Sequence, residues 1–479
     1  MPRYAAISAF PLTLNKDSSI LDAIDSYPYS RRPQIFRHSL LALSLLVGAI
    51  GVTTNSSAEQ NAGVPTAPAQ IGIFQPVTNA GEVDSLVVTE LVKAELADPR
   101  LGNNVTAYVI DANSKEVLVD VNGDQAMIPA STLKIYTGIA ALDVLGAQTR
   151  FKTVVKREGN LLTIIGGGDP TLVSQTPENW RGKPPGTEQP PSIDQLAELA
   201  ATAIGQPNES FVVNFDDSLF AEPKAHESWP SQYIRGGEVA PAQGLTMDFG
   251  INDTEAVMND PAESVARYFT KALTSRGVPA VLGQRGQATE VATVLASISS
   301  ATVTDIVERM ITTSNNTMAE FLAHHVGGAK GEFTYEGGAS ATTEALITAQ
   351  IDMTGVAIID GSGLSRSNRA SAKSLVSALI YTNSTQGAAW ANLSGLPVAG
   401  ISGTLIDRYE VGEPGRGTVR AKTGTLSQVV ALSGTLTDAS GDLLIFTFIA
   451  NDLPMGNRQG AAALDNVIQV LAQCGCRTS

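Results

Sequence analysis

A chain of 479 residues, 43% of them apolar, exceeds what one hydrophobic core supports and implies two or more packed units. The net charge of −15, with no cluster of Lys and Arg, excludes nucleic acid as an expected partner, and the acidity reads as solvated surface. Cys474 and Cys476 make no disulfide framework and cannot supply four ligands to a structural zinc site, so they either pair with each other or stay reduced.

In chain order, the first distinctive segment is the apolar run Leu40 to Val52, preceded by Arg31, Arg32, Arg37 and His38. A run of about 13 residues suits the core of an export signal better than a membrane span of roughly 20. Ser56-Ser57-Ala58 offers a cleavage site, while the long stretch ahead of the run points to a retained membrane anchor or a misassigned start. Residues 1–54 are therefore a signal peptide or membrane anchor, and the chain beyond them is expected outside the cytoplasm. Residues 55–82, rich in Ser, Ala, Gln and Pro, read as a flexible tether.

Val83, Val87, Leu91 and Ala94 recur at helical spacing, which predicts a helix near 83–96. Strands are predicted at Val105–Asp111 and Glu116–Asn122. The apolar stretch after Pro129 predicts a buried helix starting near Ser131. From 156 to 300 the texture changes to Gly-rich turns, a Pro/Gly/Glu stretch at 177–192 and a strand-like Phe211–Phe215, which reads as an inserted unit. A helical section at 303–326 comes next, and strands at Gly417–Lys422, Val429–Thr437 and Leu443–Ala450 close the chain. Helices flanking a largely antiparallel sheet make an α+β fold, built from 83–155 and 301–473 around the insertion.

Several chemistries lack their motifs: there is no G-x-S-x-G, H-E-x-x-H, Walker loop or G-x-G-x-x-G after a strand. Of the four histidines, His38 lies in the export segment and the pair His324-His325 is expected on a helix surface, which leaves His226 as a weak basis for a Ser-His-Asp hydrolase. A serine nucleophile then needs lysine as its base. Ser131 and Lys134 stand three residues apart, on one face of the predicted helix, whose N-terminus favours negative charge at Ser131. Keeping an ordinary lysine neutral at pH 7 costs roughly 4.6 kcal/mol, so burial or a second cation must lower its pKa, and Lys422 is such a cation. S-x-x-K is common by itself. Here it is joined by Ser314-Asn315-Asn316 in a polar break before a helix and by Lys422-Thr423-Gly424 in a strand-like run.

That motif order is the one found in β-lactamases and penicillin-binding proteins. From about 82 to 472 the sequence resembles the D-alanyl-D-alanine carboxypeptidase/endopeptidase family, the class C low-molecular-mass penicillin-binding proteins. The segments Gly166–Leu172, Asp216–Phe220, Asp360–Ser365 and Gly400–Leu405 read like landmarks of that family, and the long stretch between Ser131 and Ser314 matches its large insertion. The glycines at 166 and 361 are expected in turns, and Asp360 either caps a helix or lines the cleft.

The resemblance implies a penicillin-sensitive serine D,D-peptidase acting on peptidoglycan stem peptides, with β-lactam antibiotics as inhibitors and no metal or cofactor. Ser131 would attack the carbonyl of the penultimate D-Ala and Lys134 would take its proton. Ser314 would relay a proton to the leaving amine, and Asn316 would bind the peptide amide and Lys134. Lys422 would supply positive charge, while Thr423 and Thr425, flanking Gly424, would hold the terminal carboxylate. The insertion is expected to pack or to steer cross-linked substrate rather than to supply these groups. Rival readings are a β-lactamase or esterase on the same scaffold and a catalytically idle wall-binding protein, the latter expected to have lost part of the motif set.

Overall fold

The computed structural model describes residues 83–476, apart from 177–188, 253, 255 and 384–387. The apolar run at 40–52 and the tether lie outside the described residues. Among the described residues, no helix is long and apolar enough to cross a membrane.

The chain opens with helix α1 (Ser85–Leu96), capped by the Asp84 carboxylate, and the hairpin β1 (Asn104–Asp111) and β2 (Val117–Val121). A 3₁₀ turn at Ala130–Leu133 leads into α2 (Lys134–Ala140), every residue of which is buried. Next come β3 (Lys152–Glu158), β4 (Leu161–Ile165), α3 (Ile193–Ile204), β5 (Phe211–Asp216) and the short α4 (Gln232–Arg235). They are followed by α5 (Pro261–Ser275), β6 (Ala280–Arg285) and β7 (Thr293–Ser299).

These strands form a sheet of their own, ordered β6-β5-β4-β3-β7. It is mixed: β4 and β5 run parallel, as do β5 and β6, and each parallel step crosses over through a helix, α3 and then α5. The two helices cover one apolar core that includes Leu162, Ile164, Leu196, Val213, Val265 and Phe269. The second sheet begins at Lys152, ahead of the boundary expected at 156, because β3 pairs with both β4 and β7.

The remaining elements are α6 (Val303–Thr313), α7 (Asn316–Gly328), α8 (Tyr335–Thr348), α9 (Ala372–Thr382), the short α10 (Ala391–Ser394), β8 (Val419–Leu426), β9 (Val429–Thr437), β10 (Leu443–Asn451) and α11 (Asn457–Gln473). The main sheet is antiparallel throughout, in the order β2-β1-β10-β9-β8. Both of its faces are covered. Leu444, Phe446 and Phe448 pack with Leu464, Val467 and Ile468 of α11, while Ile445 and Ile449 pack with Ile135 and Ile139 of α2 and Leu375 of α9. Alternate residues of one strand thus serve two cores, which is why β9 and β10 are buried at nearly every position. On β8 the same alternation puts Val419 and Ala421 in the α11 core and turns Lys422 to the other face. Helices on an antiparallel sheet make the protein α+β. Cys474 and Cys476 form a disulfide after α11.

Candidate active site

The Ser131 turn is shaped by its neighbours. Side chains three apart eclipse in a 3₁₀ turn, so Lys134 lies directly over Ser131. The Lys134 ammonium donates to Ser131 Oγ at 2.9 Å, to Asn316 Oδ1 at 2.7 Å and to the Ser362 carbonyl at 2.7 Å. Lys134 is fully buried, and burial pulls its pKa from 10.5 down to about 7, against the opposing charges of Glu320 and Asp360. That shift removes most of the cost of holding the amine neutral.

Ser314 closes α6 in a left-handed conformation, φ 58°, and Asn315 caps the start of α7 by accepting from the Met318 N–H. The corner between two helices thus delivers Asn316 to Lys134 on one side and Ser314 to Lys422 on the other. Lys422 Nζ donates to Ser314 Oγ at 2.7 Å and to the Thr423 carbonyl at 2.9 Å. It is fully buried, and burial, with the charge of Lys134 second, pushes its pKa well down. Gly424 permits the close approach of β8 to the Ser131 turn, since a Cβ there would stand 2.6 Å from the Pro129 carbonyl oxygen. Thr423 shares a hydroxyl contact of 2.8 Å with Thr404, and Thr425 is exposed. The five motif side chains Ser131, Lys134, Ser314, Asn316 and Lys422 therefore meet beside one edge of the main sheet, along which Thr423, Gly424 and Thr425 continue β8.

That edge is half covered. The Ala399 N–H bonds the Val419 carbonyl and the Ala421 N–H bonds the Pro397 carbonyl, both at 3.0 Å. Among the described residues this pairing stops at Arg420 and Ala421, and the strand from Lys422 onward offers its edge for an added extended peptide.

Glu320 and Trp229 escaped the sequence reading, which took Asp360 as a helix cap or a cleft residue without making it a site residue. Glu320 and Asp360 are buried carboxylates behind Lys134. The Glu320 pKa rises to about 8, through burial first and the charge of Asp360 second. Trp229, from the inserted region, donates its indole N–H to Asp360 Oδ2 at 2.8 Å. The signal for Glu320 was slight, since it lies one helical turn past Asn316, and Trp229 left none. The histidine pair corrects an expectation. His324 and His325 are buried rather than on the surface, because α7 is enclosed from Thr317 to Gly327. His325 stacks on Phe151, and burial lowers both imidazoles to about 4, so they stay neutral at physiological pH. Among the described residues no three His, Cys, Asp or Glu side chains gather as a metal site.

A model of the D-Ala-D-Ala carboxypeptidase 3 (S13) family matches residues 88–259 and 252–474. The chain belongs to that family. This S13 protein is 31% identical over 454 residues to carboxypeptidase DacB of Mycolicibacterium smegmatis, across 91% of this chain and 96% of the relative. It is 28% identical over 474 residues to the D-alanyl-D-alanine carboxypeptidase of an Actinomadura strain, across 80% of this chain and 84% of the relative. Its fold is that of penicillin binding protein 4 of Haemophilus influenzae, with a TM-score of 0.66 at 21% identity over 80% of this chain and 97% of that one. The S13 protein is a hydrolase of the D-Ala-D-Ala carboxypeptidase kind.

Proposed function

We propose that the protein cleaves the D-Ala-D-Ala end, or a D-amino-acid cross-link, of peptidoglycan stem peptides through an acyl-enzyme on Ser131. The observation that carries this is the setting of the Lys134 amine. A neutral lysine has two N–H bonds and one lone pair. With the two hydrogens taken by Asn316 Oδ1 and the Ser362 carbonyl, the lone pair is left facing Ser131 Oγ. Lys134 then removes the hydroxyl proton as Oγ bonds to the carbonyl carbon of the penultimate D-Ala.

The backbone N–H groups of Ser131 and Thr425 receive the oxyanion, a contribution of about 10²- to 10³-fold per donor. The C–N bond breaks as the proton held by Lys134 reaches the leaving amine through Ser314, which Lys422 orients. Asn316 binds the substrate peptide amide, Thr423 and Thr425 hold the terminal carboxylate, and Lys422 adds positive charge. The substrate peptide extends the open edge of β8. Water then attacks the acyl group, returning Ser131 and releasing the shortened peptide.

β-Lactams fit the same reading, since a relative of the same fold, penicillin binding protein 4 of Haemophilus influenzae, has been solved with a β-lactam. The substrate lies outside the cytoplasm, so the run at 40–52 serves as export signal or anchor. Incubation with benzylpenicillin, digestion and mass spectrometry should place a long-lived adduct on Ser131. Folded protein without an adduct, or an adduct on another serine, would refute the assignment.

A further inference from the structure

Two carboxylates stand behind Lys134, and the proposed chemistry uses neither. Glu320 lies one helical turn after Asn316 on α7, so both side chains leave the same face. Asp360 opens the turn that runs to Ser365. Glu320 Oε1 accepts the Ser362 N–H at 2.7 Å, and Oε2 accepts the Gly361 N–H at 3.1 Å. Asp360 accepts the N–H groups of Gly363 at 2.8 Å and Ser365 at 2.6 Å, the Asn368 amide at 2.8 Å and the Trp229 indole at 2.8 Å.

With its N–H groups drawn onto the acids, the turn presents its carbonyls to α2. The Gly361 carbonyl accepts from Thr137 Oγ1 at 2.6 Å and the Ser362 carbonyl from Lys134 Nζ at 2.7 Å. Gly361 suits this approach, because a Cβ there would stand 2.6 Å from the Ala319 carbonyl oxygen of α7.

We propose that Glu320 is a positioning residue for Lys134: by holding the N–H groups of Gly361 and Ser362 it fixes the Ser362 carbonyl, and through that carbonyl it aims the Lys134 amine at Ser131. The inference rests on Lys134 being the base. Once Glu320 ionises, above about 8, its charge favours the protonated amine as well. Lys134 is faced by Glu320 from α7, Asp360 from the turn and Lys422 from β8. Glu320 is faced by Lys134, by Asp360 and by the Tyr335 phenol of α8, and its own carbonyl meets His324 Nδ1.

The test is the rate of acylation by benzylpenicillin between about pH 5 and about pH 10, in the full chain and in Glu320→Gln and Glu320→Asp. A glutamine offers one oxygen and sets an NH₂ against the second backbone N–H, so the turn rotates. The limiting rate should fall roughly 10- to 100-fold, as expected for a misaimed base. The limb that rises as Lys134 loses its proton should also move to lower pH, because the displaced Ser362 carbonyl no longer accepts from the protonated amine. Glu320→Asp keeps two acceptor oxygens but shortens the reach, so its rate should fall with a smaller movement of the limb.

An unmoved limb in folded Glu320→Gln would overturn the inference. If that variant does not fold, Thr137→Val releases the same turn from the other side. There the limiting rate should fall by the same roughly 10- to 100-fold at unchanged non-covalent penicillin affinity, and a wild-type rate would overturn the inference. A parent chain never acylated at Ser131 would overturn the proposed function together with this inference. Normal acylation with an unmoved Glu320→Gln limb would overturn this inference alone.

Discussion

Replacing Lys134 by Met should abolish acylation and, at and below neutral pH, stabilise the fold. The amine titrates at about 7 in the folded chain and at 10.5 when free, so between those values the unfolded state binds the extra proton. Stability therefore rises with pH across that window, by at most about 1.4 kcal/mol per pH unit, and the full penalty of roughly 5 kcal/mol is present below it. Methionine has a similar length and no charge, so it escapes that penalty. It also leaves Asn316 Oδ1 and the Ser362 carbonyl without their donor, a loss of about 3 kcal/mol for the two together.

The variant should thus be about 2 kcal/mol more stable than the parent near pH 6 and about 2 kcal/mol less stable near pH 10. Lys422 recovers part of its own proton affinity once the Lys134 charge is gone, and so shares in the slope. Urea unfolding of both proteins at fixed pH values gives the difference directly, and titrations common to the two chains cancel. A difference that stays constant from about pH 6 to about pH 10 would show that Lys134 keeps an ordinary proton affinity, and the account of it as a base would fail.

Two further substitutions probe the walls of the site. Gly363 has φ +85° and a Cβ there would stand 2.0 Å from the Ala130 carbonyl oxygen, so Gly363→Ala should cost roughly 2–4 kcal/mol in urea unfolding and depress penicillin labelling in the fraction that folds. Thr404→Val removes the partner of the Thr423 hydroxyl; KM for a D-Ala-D-Ala peptide should rise about 3- to 10-fold with little change in Tm, and an unchanged KM would remove Thr423 from the carboxylate pocket.

How much of the molecule is legible in its sequence depends on distance along the chain. S-x-x-K is visible because one turn of backbone sets the Ser131 to Lys134 contact. The break at Ser314-Asn315-Asn316 is visible because a helix end and a helix start leave local marks. The closing strands of the main sheet stand out as alternating apolar segments, and both faces of β9 and β10 are covered. Glu320 leaves no such mark, and Asp360 leaves only its Gly-rich turn, which does not show what the carboxylate faces. Their environment comes from a turn some forty residues away meeting α7, with the N–H of Ser362 reaching Glu320 across a sequence separation of 42. The same concealment put His324 and His325 on an imagined surface: two adjacent polar residues suggest solvent only if the helix has a wet side, and α7 has almost none. The parallel pairs of the second sheet were hidden for a related reason, because strand direction is decided by the crossovers α3 and α5 and not by the strands themselves.

The insertion holds none of the motif residues and still touches the residues around Lys134. Its sequence suggested packing or steering. Its backbone supplies the Glu238 carbonyl that accepts Asn316 Nδ2 at 2.8 Å and the Ala240 N–H that donates to Thr317 Oγ1 at 2.9 Å. Its side chains add the Trp229 bond to Asp360 and, on the same turn, a contact of 2.7 Å between Ser228 Oγ and Ser365 Oγ, with the His226 ring 2.8 Å from that Ser228 hydroxyl. Each buried group left unpaired would cost about 1–3 kcal/mol, so these bonds tie the shape of the insertion to the amide of Asn316 and to the turn behind Lys134. Asn316 is fixed from both ends, its oxygen toward Lys134 and its NH₂ toward the Glu238 carbonyl. That arrangement settles which end of the amide faces the amine, and it makes the insertion the element that holds an acceptor, rather than a second donor, against the lysine.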